Sequence, residues 1–167
     1  MVKKETPQPQ LRERLDDMIS KIRSNWNNPS RLDMLLDEWE EQFGPEVHDM
    51  VREIIAEKMV KVWGSIAAEE ESNTIEDLIH ILWESLREAG GEFTVEETED
   101  GIQIYCTRCP IAETYKKIGR EEYGLLFHCI TDPYIVEGFN PEIKFRRTKT
   151  LMGGDDCCDH YYSMKKD

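Results

Sequence analysis

Apolar residues recur at helical spacing from Leu11 to Leu86, and at Glu92 the spacing changes to strict alternation. This switch of period, from 3.6 to 2, splits the chain into a helical part and a mixed part. The first stripe is Leu11, Leu15, Met18, Ile19, Ile22 and Trp26, broken by Asn27-Asn28-Pro29. Ser30 with Asp33 resembles a capping box that opens a second helix along Leu32, Leu35, Leu36, Trp39 and Phe43. Gly44 suits the C-cap and Pro45 the first turn of a third helix. That helix carries Val47, Val51, Ile54, Ile55, Met59, Val62, Trp63 and Ile66 and fades at Glu69-Glu70-Glu71. A fourth, from about Thr74 to Ala89, uses Ile75, Leu78, Ile79, Leu82 and Leu86 and stops at Gly90-Gly91. The four tryptophans, Trp26, Trp39, Trp63 and Trp83, fall on or beside these stripes and read as core.

Beyond Glu92, Phe93 and Val95 alternate with polar residues, Asp100-Gly101 is a hairpin turn, and Ile102, Ile104 and Cys106 alternate again. Cys109-Pro110 opens a short helix that ends near Gly119. A further helix is expected from about Glu121 to Thr131, placing Cys129 on one face with Leu125, Leu126 and Asp132, and Pro133 is expected to end it. Ile143, Phe145 and Leu151 suggest a strand, Gly153-Gly154-Asp155 a turn, and the return strand puts Cys158, His160, Tyr162 and Met164 on one face. The expected class is α+β: an N-terminal helical layer of about four helices, then two β-hairpins in an antiparallel sheet with two intervening helices. Residues 1–10 read as a disordered tail, 11–90 as the helical region and 91–167 as the cysteine-containing domain, packed as one unit.

Charge narrows the partners. With 34% charged residues and a formal net charge of −14, the surface lacks the basic face that nucleic acid or an anionic membrane needs. No apolar run approaches a membrane span, and the N-terminal stretch shows no apolar signal region. All five cysteines lie between 106 and 158, and an odd number cannot all pair within one chain. Both points suggest reduced thiols and a cytoplasmic location. The long amphipathic helices leave room for a homodimer.

The residues that carry chemistry sit in this last third. Cys109-Pro110-x-Ala112, Cys129-x-x-Asp132, Arg147-Thr148-x-Thr150-Leu151 and Gly154-Asp155-x-x-Cys158-Asp159 occur in that order. In these motifs the chain resembles the L-2-amino-thiazoline-4-carboxylic acid hydrolase family, over roughly residues 75 to 163. The resemblance implies hydrolytic opening of a small cyclic amidine, giving a carbamoyl-cysteine product. The terminal Gly-Asp-x-x-Cys strand is also similar, more distantly, to four-vinyl-reductase-type small-molecule-binding domains. That likeness implies a zinc site built from a Glu and a Cys on the preceding strand plus the final Cys. Arg147 and Thr150 stand at the preceding positions here, so a zinc or iron site would fall to Cys106, Cys109, Cys129 and Cys158.

Several chemistries are open to these residues. Cys109, at a helix N-terminus, is placed for a lowered thiol pKa and nucleophilic attack. Cys129 has Asp132 one turn on and His128 beside it, either of which could serve a water as general base. Cys158 shares its strand face with His160. The candidate catalytic set is therefore Cys109, Cys129, Asp132 and Cys158, with Arg147, His160 and Tyr105 as substrate contacts. Arg147 is in line with Phe145 and Ile143, so its fork would meet either a substrate carboxylate or an internal acid. Asp155 reads as a turn residue that accepts backbone hydrogen bonds. The alternative to catalysis is a small-molecule- or metal-binding domain with a pocket lined by Tyr105, Phe127 and Tyr162.

Overall fold

The computed structural model of the chain describes residues 8–28 and 35–165. The expected capping box at Ser30 and Asp33, Leu32, and residues 1–7 of the expected tail lie outside them. The helical part comprises α1 (Gln8–Ser24), α2 (Leu35–Phe43), α3 (Glu46–Glu69) and α4 (Ile75–Glu88). The stripes read from the sequence face inward. In α1, Leu15, Ile19 and Ile22 are essentially inaccessible, each burial contributing about 1.5–3 kcal/mol, so the helix is firmly seated. The α3 stripe is buried at Val47, Val51, Ile54, Ile55 and Met59, but Val62 is exposed. Thr74 caps α4 in a capping box with Asp77, and Gly44 takes a left-handed φ of 98° after α2.

The mixed part follows as β1 (Glu92–Glu97), β2 (Gly101–Arg108), α5 (Pro110–Ile118), α6 (Glu121–Phe127), α7 (Asp132–Phe139), β3 (Ile143–Arg147) and β4 (Cys158–Met164). The strands form one antiparallel sheet in the order β1-β2-β4-β3. The expected class holds, with two corrections. Pro133 does not end a helix; it sits in the first turn of α7, where a missing N–H costs nothing and its fixed φ suits the helix. The chain instead breaks at His128 (φ −124°, ψ −61°) and passes through a 3-10 turn, Cys129–Thr131. Three helices, not two, therefore separate β2 from β3. Leu151 likewise belongs to a 3-10 turn, Leu151–Gly153, rather than to β3.

The register decides what the sheet offers the helices. Cys106 stands opposite Cys158, Ile104 opposite His160 and Ile102 opposite Tyr162; on the other side of β4, Arg147 pairs with His160 and Phe145 with Tyr162. These side chains share the inner face, while Gln103, Tyr105, Asp159 and Tyr161 alternate with them. The Trp83 ring of α4 packs on Phe93 and His160, with centroids 5.0 and 4.9 Å apart, and its Nε1 donates to Tyr162 Oη at 3.2 Å. Helix α7 lies close against α3: a Cβ on Gly138 would come within 2.5 Å of the Val60 carbonyl oxygen. Among the described residues no helix is long and apolar enough to cross a membrane.

Candidate functional site

A cavity of about 230 Å³ opens between the inner face of the sheet, α4, the end of α1 and the α6–α7 junction. Of the eight residues singled out above, it brings seven together: Cys106, Cys109, Cys129, Asp132, Arg147, Cys158 and His160. Tyr105 is not among them. It alternates with the inward Ile104 and Cys106, is 37% exposed, and borders a shallow surface depression on the outer side of the sheet. Phe127 and Tyr162 are packed out of reach in the core and do not line the cavity either.

The thiols differ sharply in character. Cys158 is held well below the ordinary thiol range. The hydrogen bond from Cys106 contributes most, His160 and Thr150 help, and burial opposes them. The Leu151 N–H donates to its sulfur at 3.2 Å and Thr150 Oγ1 lies 3.8 Å away. Cys106 is pushed far up in turn by its contact with Cys158 and by burial, while its hydrogen bond to the Arg108 carbonyl oxygen, 3.2 Å away, works the other way. Of the two, Cys158 is the sulfur whose surroundings favour the thiolate. Cys109 does sit at the N-cap of α5, as the sequence suggests. Burial nevertheless pushes its thiol up by more than the Ala112 and Ile111 amides pull it down, so the helix terminus does not activate it. Cys129 is pushed up to about 12 by burial and by Asp132. Cys157 points away from the cavity, and its thiol is also raised.

Beside Cys158 lies a polar network. Asp132 forms an enclosed ion pair with Arg147, whose Nη1 also donates to the Cys129 carbonyl oxygen at 3.1 Å. Arg147 therefore meets an internal acid, one of the two partners expected for it. His160 Nε2 is 3.9 Å from Asp132 Oδ2, and Nδ1 is 3.3 Å from Tyr162 Oη. Burial pushes the Asp132 carboxyl up, and His160 and Arg147 hold it back in part. Cys158, His160 and Asp132 thus stand together in the wall of the cavity. Period-2 spacing places the first two on one strand face, and the α7 N-terminus supplies the third.

Around the cavity stand residues outside the expected catalytic and substrate-contact set: Arg23, Trp26 and His128 line it, and Thr150 lies beside it. Thr150 Oγ1 stands between Cys158 and Cys129, 3.9 Å from the latter. It is fixed by its own N–H donating to Asp155 at 2.7 Å, the turn role expected of Asp155. Asp159 accepts from the preceding Thr148 and Lys149 amides. His128 is held neutral, at about 3, by burial and by Arg23, and its Nε2 is 3.3 Å from Tyr115 Oη. Trp26, read as core, is half-buried and lines the cavity together with Arg23. Four cysteines therefore surround the cavity without forming a ligand set: among the described residues, no group of three or more His, Cys, Asp or Glu is placed to hold a metal ion.

The family model described as L-2-amino-thiazoline-4-carboxylic acid hydrolase matches residues 31–162. No curated protein and no solved structure matches the chain.

Proposed function

The chain belongs to the L-2-amino-thiazoline-4-carboxylic acid hydrolase family, and from that premise we propose that it hydrolyses a small cyclic amidine with Cys158 as the nucleophile. The observation that carries this reading is the thiolate environment of Cys158 in a cavity that also holds His160 and Asp132. Attack needs the thiolate, and its hydrogen-bond donors favour that form.

For an amino-thiazoline the steps balance as follows. Cys158 Sγ adds to the amidine carbon, the ring C–S bond breaks, and the departing sulfur takes a proton. This leaves an isothiourea on Cys158. Water then adds to the same carbon. His160 accepts one water proton, the imine nitrogen takes the other, and the bond to Cys158 breaks. The carbamoyl product leaves with the water oxygen, and His160 returns its proton to solvent. Asp132 orients His160 and stabilises the imidazolium that forms, across the 3.9 Å separation. Arg147 holds Asp132 in place.

The test is release of a carbamoyl-cysteine product from 2-amino-thiazoline-4-carboxylate. Cys158→Ala should abolish turnover, whereas Cys109→Ala should retain most of it. Saturable binding of the acid with no product from the parent protein would sink the hydrolase reading and favour a binding domain. Full activity in Cys158→Ala would instead move the nucleophile elsewhere.

A further inference from the structure

Arg23 stands in the last turn of α1, outside residues 31–162, and lines the same cavity. Its Nη1 donates to the Phe127 carbonyl oxygen at the C-terminal end of α6. Among the described residues it forms no ion pair; Asp132, the acid whose field it feels, is already paired with Arg147. A guanidinium carries five N–H donors in a fixed fork, and here one contact is protein carbonyl. Burial disfavours its charge, and the adjacent His128, held neutral, does not neutralise it. A largely enclosed cation that forms no ion pair among the described residues, its nearest acid being shared with Arg147, is matched beside a cavity by a ligand anion.

We propose that Arg23 is the specificity-determining residue of the cavity and binds the carboxylate of a small anionic substrate through its free N–H groups. This rests on the catalytic reading only for where the substrate's other end lies. The buried apolar stripe seats α1 and the Phe127 carbonyl oxygen holds the guanidinium, so the recognition element is supplied by a helix outside the matched span. Arg147, the arginine that the sequence favours for this role, is already engaged by Asp132.

The test is titration calorimetry on Cys158→Ala protein, which does not turn over, with 2-amino-thiazoline-4-carboxylate and with 2-amino-thiazoline, which lacks the carboxylate. Adding Arg23→Gln should weaken the acid at least about tenfold, the loss of a charge-assisted contact, and should not weaken the ligand that lacks the carboxylate. Arg23→Lys, which keeps the charge but not the fork, should fall between, and thermal melting confirms that each variant is folded. Equal losses for both ligands in folded variants, or no binding of the acid in the first place, would overturn the proposal. Arg23-dependent binding with no turnover by the parent enzyme would leave Arg23 standing and remove the hydrolase reading. Turnover of the acid that Arg23→Gln does not slow at subsaturating concentration would do the reverse.

Discussion

Replacing Asp132 by Asn probes the buttress of the site most directly. Asp132 and Arg147 are enclosed, with side chains 16% and 18% exposed, so solvent screens the pair only weakly. Burial works against the carboxylate while His160 and Arg147 work for it, and burial prevails, so the intact pair does not fully offset its own desolvation. The substitution removes the countercharge and leaves Arg147 with the Cys129 carbonyl oxygen alone. Orphaning one member of such a pair costs about 3–5 kcal/mol, and the near-isosteric amide argues for the lower end. For a domain of this size that is roughly 6–12 °C in Tm. Thermal unfolding followed by circular dichroism measures it. A cycle with Arg147→Met separates the pair from its surroundings, and the double variant should recover at least about 1 kcal/mol over the sum of the single losses. An Asn variant that melts with the parent, or strict additivity in the cycle, would refute this account of the ion pair.

Two further substitutions test neighbouring parts of the argument. Thr150→Val removes the hydroxyl beside Cys158 and Cys129; it should raise the Cys158 pKa and shift the acid limb of the activity profile to higher pH, read from kcat/KM against pH. Gly138→Ala places a Cβ against the Val60 carbonyl oxygen of α3, at 2.5 Å, so it should lower stability by about 1–3 kcal/mol in urea unfolding.

Much of the frame was legible because each element states its period and its ends. The α1 and α3 stripes, the left-handed glycines at 44, 90 and 119, and the Thr74 cap are all local signals. The same is true of the face shared by Cys158, His160 and Tyr162, which period 2 makes explicit. That period also places Tyr105 outside, opposite to Ile104 and Cys106, so its assignment to the site went against an available signal. Elsewhere one residue admits two meanings. A proline after Asp132 ends one helix or starts another, and the choice depends on the backbone break at His128, which no side chain announces. Leu151 continues the alternation of Ile143 and Phe145 by number alone; Asp155 and Asp159 draw the intervening backbone into a turn. The thiol ranking was the least legible. Cys109 has the helix terminus, yet burial outweighs it, while the donors to Cys158 come from a turn and from the opposing strand. Arg23 looks like any polar residue of an amphipathic helix until the end of α6 folds over it.

The central claim is that Cys158 is a thiolate at neutral pH and the reactive sulfur of the cavity. The most direct test is the rate of iodoacetamide labelling of each cysteine from pH 5 to 9, resolved by peptide mass spectrometry. The account predicts that Cys158 is labelled first and that its rate stays nearly flat down to about pH 6, where an ordinary thiol with a pKa near 8.5 is almost fully protonated. Cys106, Cys109 and Cys129 should lag throughout, as their raised values require. A Cys158 rate that falls tenfold per unit below about pH 8.5, as for a free thiol, or faster labelling of another cavity cysteine, would contradict it.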